Sequence, residues 1–244
     1  MNGTTVKGIL FDFGGTLDTN GTHWGIVLQE AYRDAGFTLD EAAFREMYVQ
    51  GERQLAARPV ISDQDTFDIV LQKKLDLECA YGIAHGFLPD EPTTRTRIAG
   101  IARHCYESVL ENTRRAAELL RKLQTGYRLA LVSNFYGNLQ AVLAGFNLTE
   151  CFEAVIESAR VGVRKPDPAI FALALDTLHL APSEVVVVGD SYKNDIAPAL
   201  SLGIAPIWLK GRGWDENDAH RTAPHIIGDL GELTDVLQNW PDAR

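Results

Sequence analysis

Along the chain, the pattern of apolar and polar positions changes character twice. Residues 9–11, Ile-Leu-Phe, make a short apolar run that ends in Asp12 and then in Gly14-Gly15-Thr16. An apolar run stopped by turn residues predicts a buried strand followed by a sharp loop. From Trp24 to about Asn112 the apolar positions recur instead at helical spacing. Trp24, Val27, Leu28, Ala31, Tyr32 and Ala35 form one stripe, which Gly36 stops. Asp40 caps a second helix carrying Phe44, Met47 and Tyr48, and Ala57-Arg58-Pro59 ends it. Phe67, Val70, Leu71 and Leu75 form a third face. Pro89 and Pro92 intervene, and Ile98, Ile101, Cys105 and Val109 form a fourth. With no convincing strand among them, these helices predict a small bundle inserted just after the first strand.

From Arg114 the short apolar runs return. A helix over 116–123 stops before Gly126, and strands are expected at 128–133, 154–156, 185–188 and 204–209. Helices over 139–144, from Pro166 and Pro168 to Leu178, and over 195–202 fall between them. Ile226-Ile227 adds a short edge strand, and 230–237 a closing helix. Strands alternating with helices predict an α/β fold with a parallel sheet covered on both faces. The expected division is a core of residues 1–18 and 114–244, with residues 19–113 as an α-helical cap domain. The segment Gly211-Arg-Gly-Trp214 reads best as a surface turn.

Composition narrows the partners. Of 244 residues, 45% are apolar and 23% charged, ordinary for a globular protein with a sizeable core. A net charge of −10 argues against general nucleic-acid binding, which needs a basic surface. Cys79, Cys105 and Cys151 are too few and too scattered for a disulfide framework, and they fit reduced thiols in a cytoplasmic protein. No signal peptide or membrane span is expected. Oligomeric state is not readable.

Three expected strands end in polar residues: Asp12, Ser133 and Asp190. In an open parallel sheet those ends converge on the edge where ligands bind. Two carboxylates side by side there are costly without a cation, and hard oxygen ligands suit Mg²⁺. The Gly14 carbonyl can add a ligand, and Asp195 can support from behind or cap the following helix. Lys165, in Arg164-Lys165-Pro166, can pair with an anion and with Asp12. Arg160 and Arg164 flank it and can draw anions to the entrance.

Together these residues resemble the haloacid dehalogenase superfamily of hydrolases. The Asp12 stretch is similar to the first motif and Leu131-Val-Ser133-Asn134 to the second. Arg164-Lys165-Pro166 is similar to the third, and Gly189-Asp190-Ser191-Tyr-Lys-Asn-Asp195 to the fourth. The resemblance implies a Rossmann-like core with a helical cap of the first type, since the Ser133–Lys165 interval is too short for the larger alternative. It implies a Mg²⁺-dependent phosphatase of a small phosphorylated metabolite, in which Asp12 forms an aspartyl-phosphate that water hydrolyses. Asp12, Gly14 and Asp190 would hold the metal, with Asp195 behind them. Ser133, Lys165, Gly15, Thr16 and Asn134 would bind the phosphoryl group.

One position departs from the family. Its phosphatases carry a second aspartate two residues after the nucleophile, as acid and base; here that residue is Gly14. Three readings stay open. The chain is a phosphatase whose proton comes from elsewhere, with Asp18 and His23 nearby in sequence. It does other chemistry of the family: cleavage of a carbon–phosphorus bond through a cap lysine, or dehalogenation. Or it keeps a phosphate pocket as a binding module. Lys73 and Lys74 are the only cap lysines, and their helical pattern predicts a solvated face. Trp24 and Tyr192 are expected to serve packing rather than the pocket mouth.

Overall fold

The structure, a computed structural model, describes residues 5–57 and 60–240. It contains the strands β1 (Gly8–Phe11), β2 (Arg128–Ser133), β3 (Ala154–Glu157), β4 (Val185–Gly189), β5 (Ala205–Leu209) and β6 (His225–Ile227). They form one parallel sheet in the order β3-β2-β1-β4-β5-β6. Helices α1 (Trp24–Asp34), α2 (Glu41–Ala57), α3 (Phe67–Ala84) and α4 (Pro92–Leu123) lie between β1 and β2. After β2 come α5 (Leu139–Gly145), α6 (Ser158–Val161), α7 (Ala169–Leu178), α8 (Ala197–Ser201) and α9 (Leu233–Gln238). The expected end of α2 at Ala57-Arg58-Pro59 falls partly outside the described residues.

Strands β1 and β4 are apolar at every position, and β2 from Leu129 to Val132, because both their faces are covered. Successive residues enter different layers. Ile9, Phe11, Leu129, Leu131, Val186 and Val188 pack with α4, α5 and α9, whereas Leu10, Ala130, Val132, Val185 and Val187 pack with α7 and α8. Register then fixes the functional edge. Phe11 pairs with Leu131 on one side and Val188 on the other, so the residues just beyond β1, β2 and β4 come together. The Asp12 amide donates to the Val188 carbonyl at 3.0 Å, which ties the first loop to β4.

Three expectations are corrected. The helices expected on either side of Asn112–Arg114 are one helix, α4. Nothing breaks it there: Thr113 donates its hydroxyl to the Val109 carbonyl at 2.7 Å, and Arg115 pairs with Glu111 at 3.1 Å. Its buried stripe continues from Ile98 through Val109 and Ala116 to Leu123, so one rod joins the inserted helices to the sheet. Around Asp195 the chain makes a π-helical turn, Tyr192–Ile196, before the short α8. Finally, the segment at Gly211–Trp214 is no free surface turn. The Trp214 ring packs against Gly25, where a Cβ would lie 2.5 Å away, and stacks on His23 at 5.5 Å between centroids. Arg212 pairs with Glu30 of α1 at 2.6 Å. The segment straps the inserted helices to the far side of the sheet. Among the described residues the three cysteines are buried and unpaired, and no helix is long and apolar enough to cross a membrane.

Candidate active site

Lys165 is the centre of the site. It is only 3% exposed, and its ammonium donates to Asp12 Oδ1 at 2.7 Å and to Asp195 Oδ1 at 2.6 Å. Its main chain is held as firmly. The Asn134 amide donates to the Lys165 carbonyl at 3.0 Å and accepts from the Lys165 amide at 2.9 Å. Asn134, expected on a phosphate, therefore spends both ends of its amide positioning the lysine. Ser133 ends β2 as a buried residue. The second Asp195 oxygen accepts from the Ser191 amide at 3.1 Å.

Asp190 follows β4 and is locked to the first loop. Its amide donates to the Thr16 hydroxyl at 3.1 Å, and that hydroxyl donates to Asp190 Oδ1 at 3.2 Å. Gly15 sits beneath it with φ +91°, and a Cβ there would lie 2.4 Å from the Asp190 carboxylate. A glycine is required at this position on both counts. The Gly15 and Thr16 amides are taken up within the loop, by Asp18 Oδ1 at 2.7 Å and the Phe13 carbonyl at 3.2 Å. In this geometry both residues shape the loop around Asp190.

Asp12, Asp190 and Asp195 each offer an oxygen, all within 4.8 Å of one another. The Lys165 ammonium touches two of them, Asp12 and Asp195. Burial pushes Asp195 up to about 6 despite Lys165, and burial together with Asp12, Asp195 and Asp18 holds Asp190 well above the usual carboxylate range. The Lys165 ammonium loses by burial, but Asp12 and Asp195 outweigh that and raise it above the usual lysine range. The cluster is short of positive charge, and its donors are all carboxylate oxygens. A hard divalent cation such as Mg²⁺ fits both facts.

Position 14 is open. A Cβ there would meet only Asp18 Oδ2, at 4.0 Å, and the Gly14 backbone lies outside the left-handed region. Asp18 is buried, yet it lines the adjoining cavity. It accepts from the Gly15 amide and from Trp24 Nε1, each at 2.7 Å. Burial nevertheless pushes its carboxyl up to about 7. His23, the other nearby titratable group, caps α1 by accepting from the Gly25 amide at 3.0 Å, and burial with Lys74 lowers it to about 4. It is unprotonated at neutral pH and cannot serve there as an acid. Trp24 packs against the core as expected, with its ring 5.7 Å from that of Phe67 between centroids, and it also joins the site through Asp18. Tyr192 does pack, edge-on to Trp208 at 5.3 Å between centroids.

The cavity, about 900 Å³, runs from Gly14, Gly15 and Asn134 to the inserted helices. Arg164 lines it and is exposed, while Arg160 is turned away onto the Gly137 carbonyl. Lys74 is buried in its wall rather than on a solvated face, paired with Glu52 of α2. Lys73 is partly exposed and pairs with Asp65. The sequence did carry a signal for Lys74. It shares the helical stripe of Phe67, Val70, Leu71, Leu75 and Glu78, all buried. Tyr48 lay on the apolar stripe of α2, but Glu52 and Tyr136, which complete that wall, had no such signal, because their meeting depends on tertiary packing.

Residues 6–203 match the hydrolase family described as haloacid dehalogenase-like hydrolase. Among curated proteins, a phosphoserine phosphatase of Thermus thermophilus is 35% identical over 48% of this chain and 47% of its own length. The chain thus spans about half the length of that relative. A ribulose-1,5-bisphosphate 5-phosphatase of Halopiger xanaduensis is 28% identical over 94% of this chain and 98% of its own. Among solved structures, a dehalogenase with an intermediate complex superposes with a TM-score of 0.63 at 20% identity, covering 95% of this chain and 97% of that one. At that identity the likeness speaks for the fold.

Proposed function

Since this chain belongs to the haloacid dehalogenase-like hydrolases, we propose that it is a Mg²⁺-dependent phosphatase of small organic phosphates with Asp12 as nucleophile. One observation carries the reading: Lys165 clamps Asp12 and Asp195 beside Asp190, in a cluster short of positive charge at the carboxyl edge of the sheet. The names of the Thermus and Halopiger relatives support phosphoryl chemistry. Residues 19–113 serve as a cap that keeps bulk water from the reacting groups. The three unpaired cysteines accord with a reducing cytoplasm.

Asp12, Asp190 and the Gly14 carbonyl would hold Mg²⁺, with Asp195 behind them. Bound there, it would offset the charge on the phosphoryl oxygens. The remaining work falls to the chain. Lys165 fixes Asp12 through Oδ1, and Oδ2 attacks phosphorus. A P–O bond to Asp12 forms as the ester P–O bond breaks. The Ser133 hydroxyl and the Lys165 ammonium bind the phosphoryl oxygens. Asp18 protonates the departing oxygen in place of the absent side chain at position 14. In the second half it takes a proton from the water that attacks phosphorus, which releases inorganic phosphate and frees the Asp12 carboxylate. A carboxyl held near neutrality suits both roles. Imine chemistry needs a neutral lysine, whereas Glu52 holds Lys74 as an ammonium against the pull of burial.

The test is phosphate release, with Mg²⁺, from aryl phosphates of graded leaving-group pKa by the native chain, Asp18→Asn and Gly14→Asp. The native chain should turn them over. Asp18→Asn should lose about 10²–10⁴ in rate on the poorest leaving groups and less on the best. Gly14→Asp should extend activity to alkyl phosphates. Halide release from 2-haloacids without phosphate release from any ester would refute the reading.

A further inference from the structure

The cavity that reaches Gly14 and Gly15 is also lined by Tyr48, Glu52, Lys74 and Tyr136, which the reaction above does not use. Their arrangement is specific. The Lys74 ammonium pairs with Glu52 Oε1 and lies 4.1 Å from the centre of the Tyr48 ring. The other Glu52 oxygen accepts from the Tyr136 hydroxyl at 2.9 Å. Lys74 belongs to α3, Glu52 and Tyr48 to α2, and Tyr136 to the loop after β2. Ion pairs of this kind are poor stabilisers, since desolvation offsets most of the attraction, and apolar residues of equal size would serve packing as well. This one is also half open: the Lys74 side chain is 7% exposed, but that of Glu52 is 36% exposed. A polar group inside the cavity can reach it.

Charge decides what fits. The Glu52 carboxylate and the Lys74 ammonium balance. Two further titratable groups lie close. His23 is uncharged at neutral pH, and burial holds Glu78, one turn along α3, at about 7. Arg53 and Arg164 line the same cavity but are exposed, so solvent screens them, and they draw any anion without choosing among them. A carboxylate on the substrate would stand against Glu52, an ammonium against Lys74, and a zwitterion would have to part the Lys74–Glu52 pair to use both. A hydroxyl suits both, donating to Glu52 while accepting from Lys74. Trp24, Phe67 and Leu71 complete the wall with apolar surface for the C–H face of a ring or chain.

We propose that Glu52, Lys74 and Tyr136 recognise the end of the substrate remote from phosphate, and that this end is a neutral polyol or sugar rather than an acid or amino acid. The inference rests on the phosphatase reading and names its substrate class. Discrimination is partly repulsive: an acid or an amine in this wall would leave a buried charge uncompensated.

The experiment uses ribose 5-phosphate, 3-phosphoglycerate, phosphoserine and p-nitrophenyl phosphate. Two readouts are taken on the native chain: phosphate release with Mg²⁺ and the ligand-induced shift of the melting temperature. Ribose 5-phosphate should exceed the two charged-end compounds by about tenfold or more in kcat/KM and give the largest shift. Glu52→Gln and Tyr136→Phe should shrink that preference, mainly through KM. Tyr136→Phe removes one hydroxyl and keeps the packing, so it reads recognition apart from folding. Hydrolysis of the aryl ester with a preference for 3-phosphoglycerate or phosphoserine would overturn the inference and leave the phosphatase reading intact. So would a sugar preference unchanged in both variants. If no ester is hydrolysed, the phosphatase reading fails. The melting shifts then decide recognition alone: ribose 5-phosphate foremost upholds it, and any other order overturns it.

Discussion

Lys165→Met removes the ammonium shared by Asp12 and Asp195 while keeping a side chain of similar length in its buried slot. The carboxylates stay behind, uncompensated. Breaking a buried ion pair by deleting one partner costs about 3–5 kcal/mol. For a chain of this size each kcal/mol lowers the melting temperature by roughly 2–4 °C, so a fall of about 6–20 °C is expected. The loss should depend on pH. Asp195 and Asp190 already sit above the ordinary carboxylate value, and without Lys165 they rise further. A carboxyl raised in the fold keeps a proton that the unfolded chain gives up, so stability falls as pH climbs from the ordinary value through the raised one. The deficit should therefore be largest near pH 8 and shrink toward pH 4.5, where the cluster holds its protons. Added Mg²⁺ should restore part of it at pH 8. The assay is thermal melting of native and variant chains across that pH range, with Mg²⁺ and with chelator. An equal loss at every pH, indifferent to Mg²⁺, would refute the electrostatic account.

Other expectations follow from the same loop. Gly15→Ala should destabilise by about 1–2 kcal/mol for the left-handed backbone alone, with further loss from the collision with Asp190. Gly14→Ala, one residue away in open space and ordinary backbone, should stay within about 0.5 kcal/mol of native; urea midpoints distinguish the two. Mg²⁺ binding to the native chain should release protons, because Asp190 must ionise to serve as a ligand. Calorimetry in buffers of different ionisation enthalpy reads that release, and affinity should rise as pH rises. Asn134→Ala should lower kcat, since it frees the Lys165 main chain.

Much of this was legible in the residues. The apolar runs gave the strands, and alternation gave the parallel sheet, because strands covered on both faces must be apolar throughout. Asp12, Ser133 and Asp190 could be picked out because they stand at strand ends that the sheet brings together, whereas Lys165 and Asp195 lie on the loop and turn that follow and were picked out by their motifs. Continuity was not legible at Thr113, where two stripes read equally well as two helices or one. Trp214 was hidden because a loop residue carries no periodicity that names its partner. Lys74 lay on a buried stripe, but a lysine there looks solvated until Glu52, on another helix, supplies the counter-charge. Asn134 and Thr16 sit in the expected motifs, yet their side chains hold Lys165 and Asp190, a division of labour set by distances and not by spacing.

The most direct test of the central claim is phosphate release from an activated aryl phosphate with Mg²⁺, comparing the native chain with Asp12→Asn at matched folded fraction. The account predicts turnover by the native chain, loss of it on chelation, and no detectable turnover by Asp12→Asn. An Asp12→Asn variant that still releases phosphate at a comparable rate would contradict it.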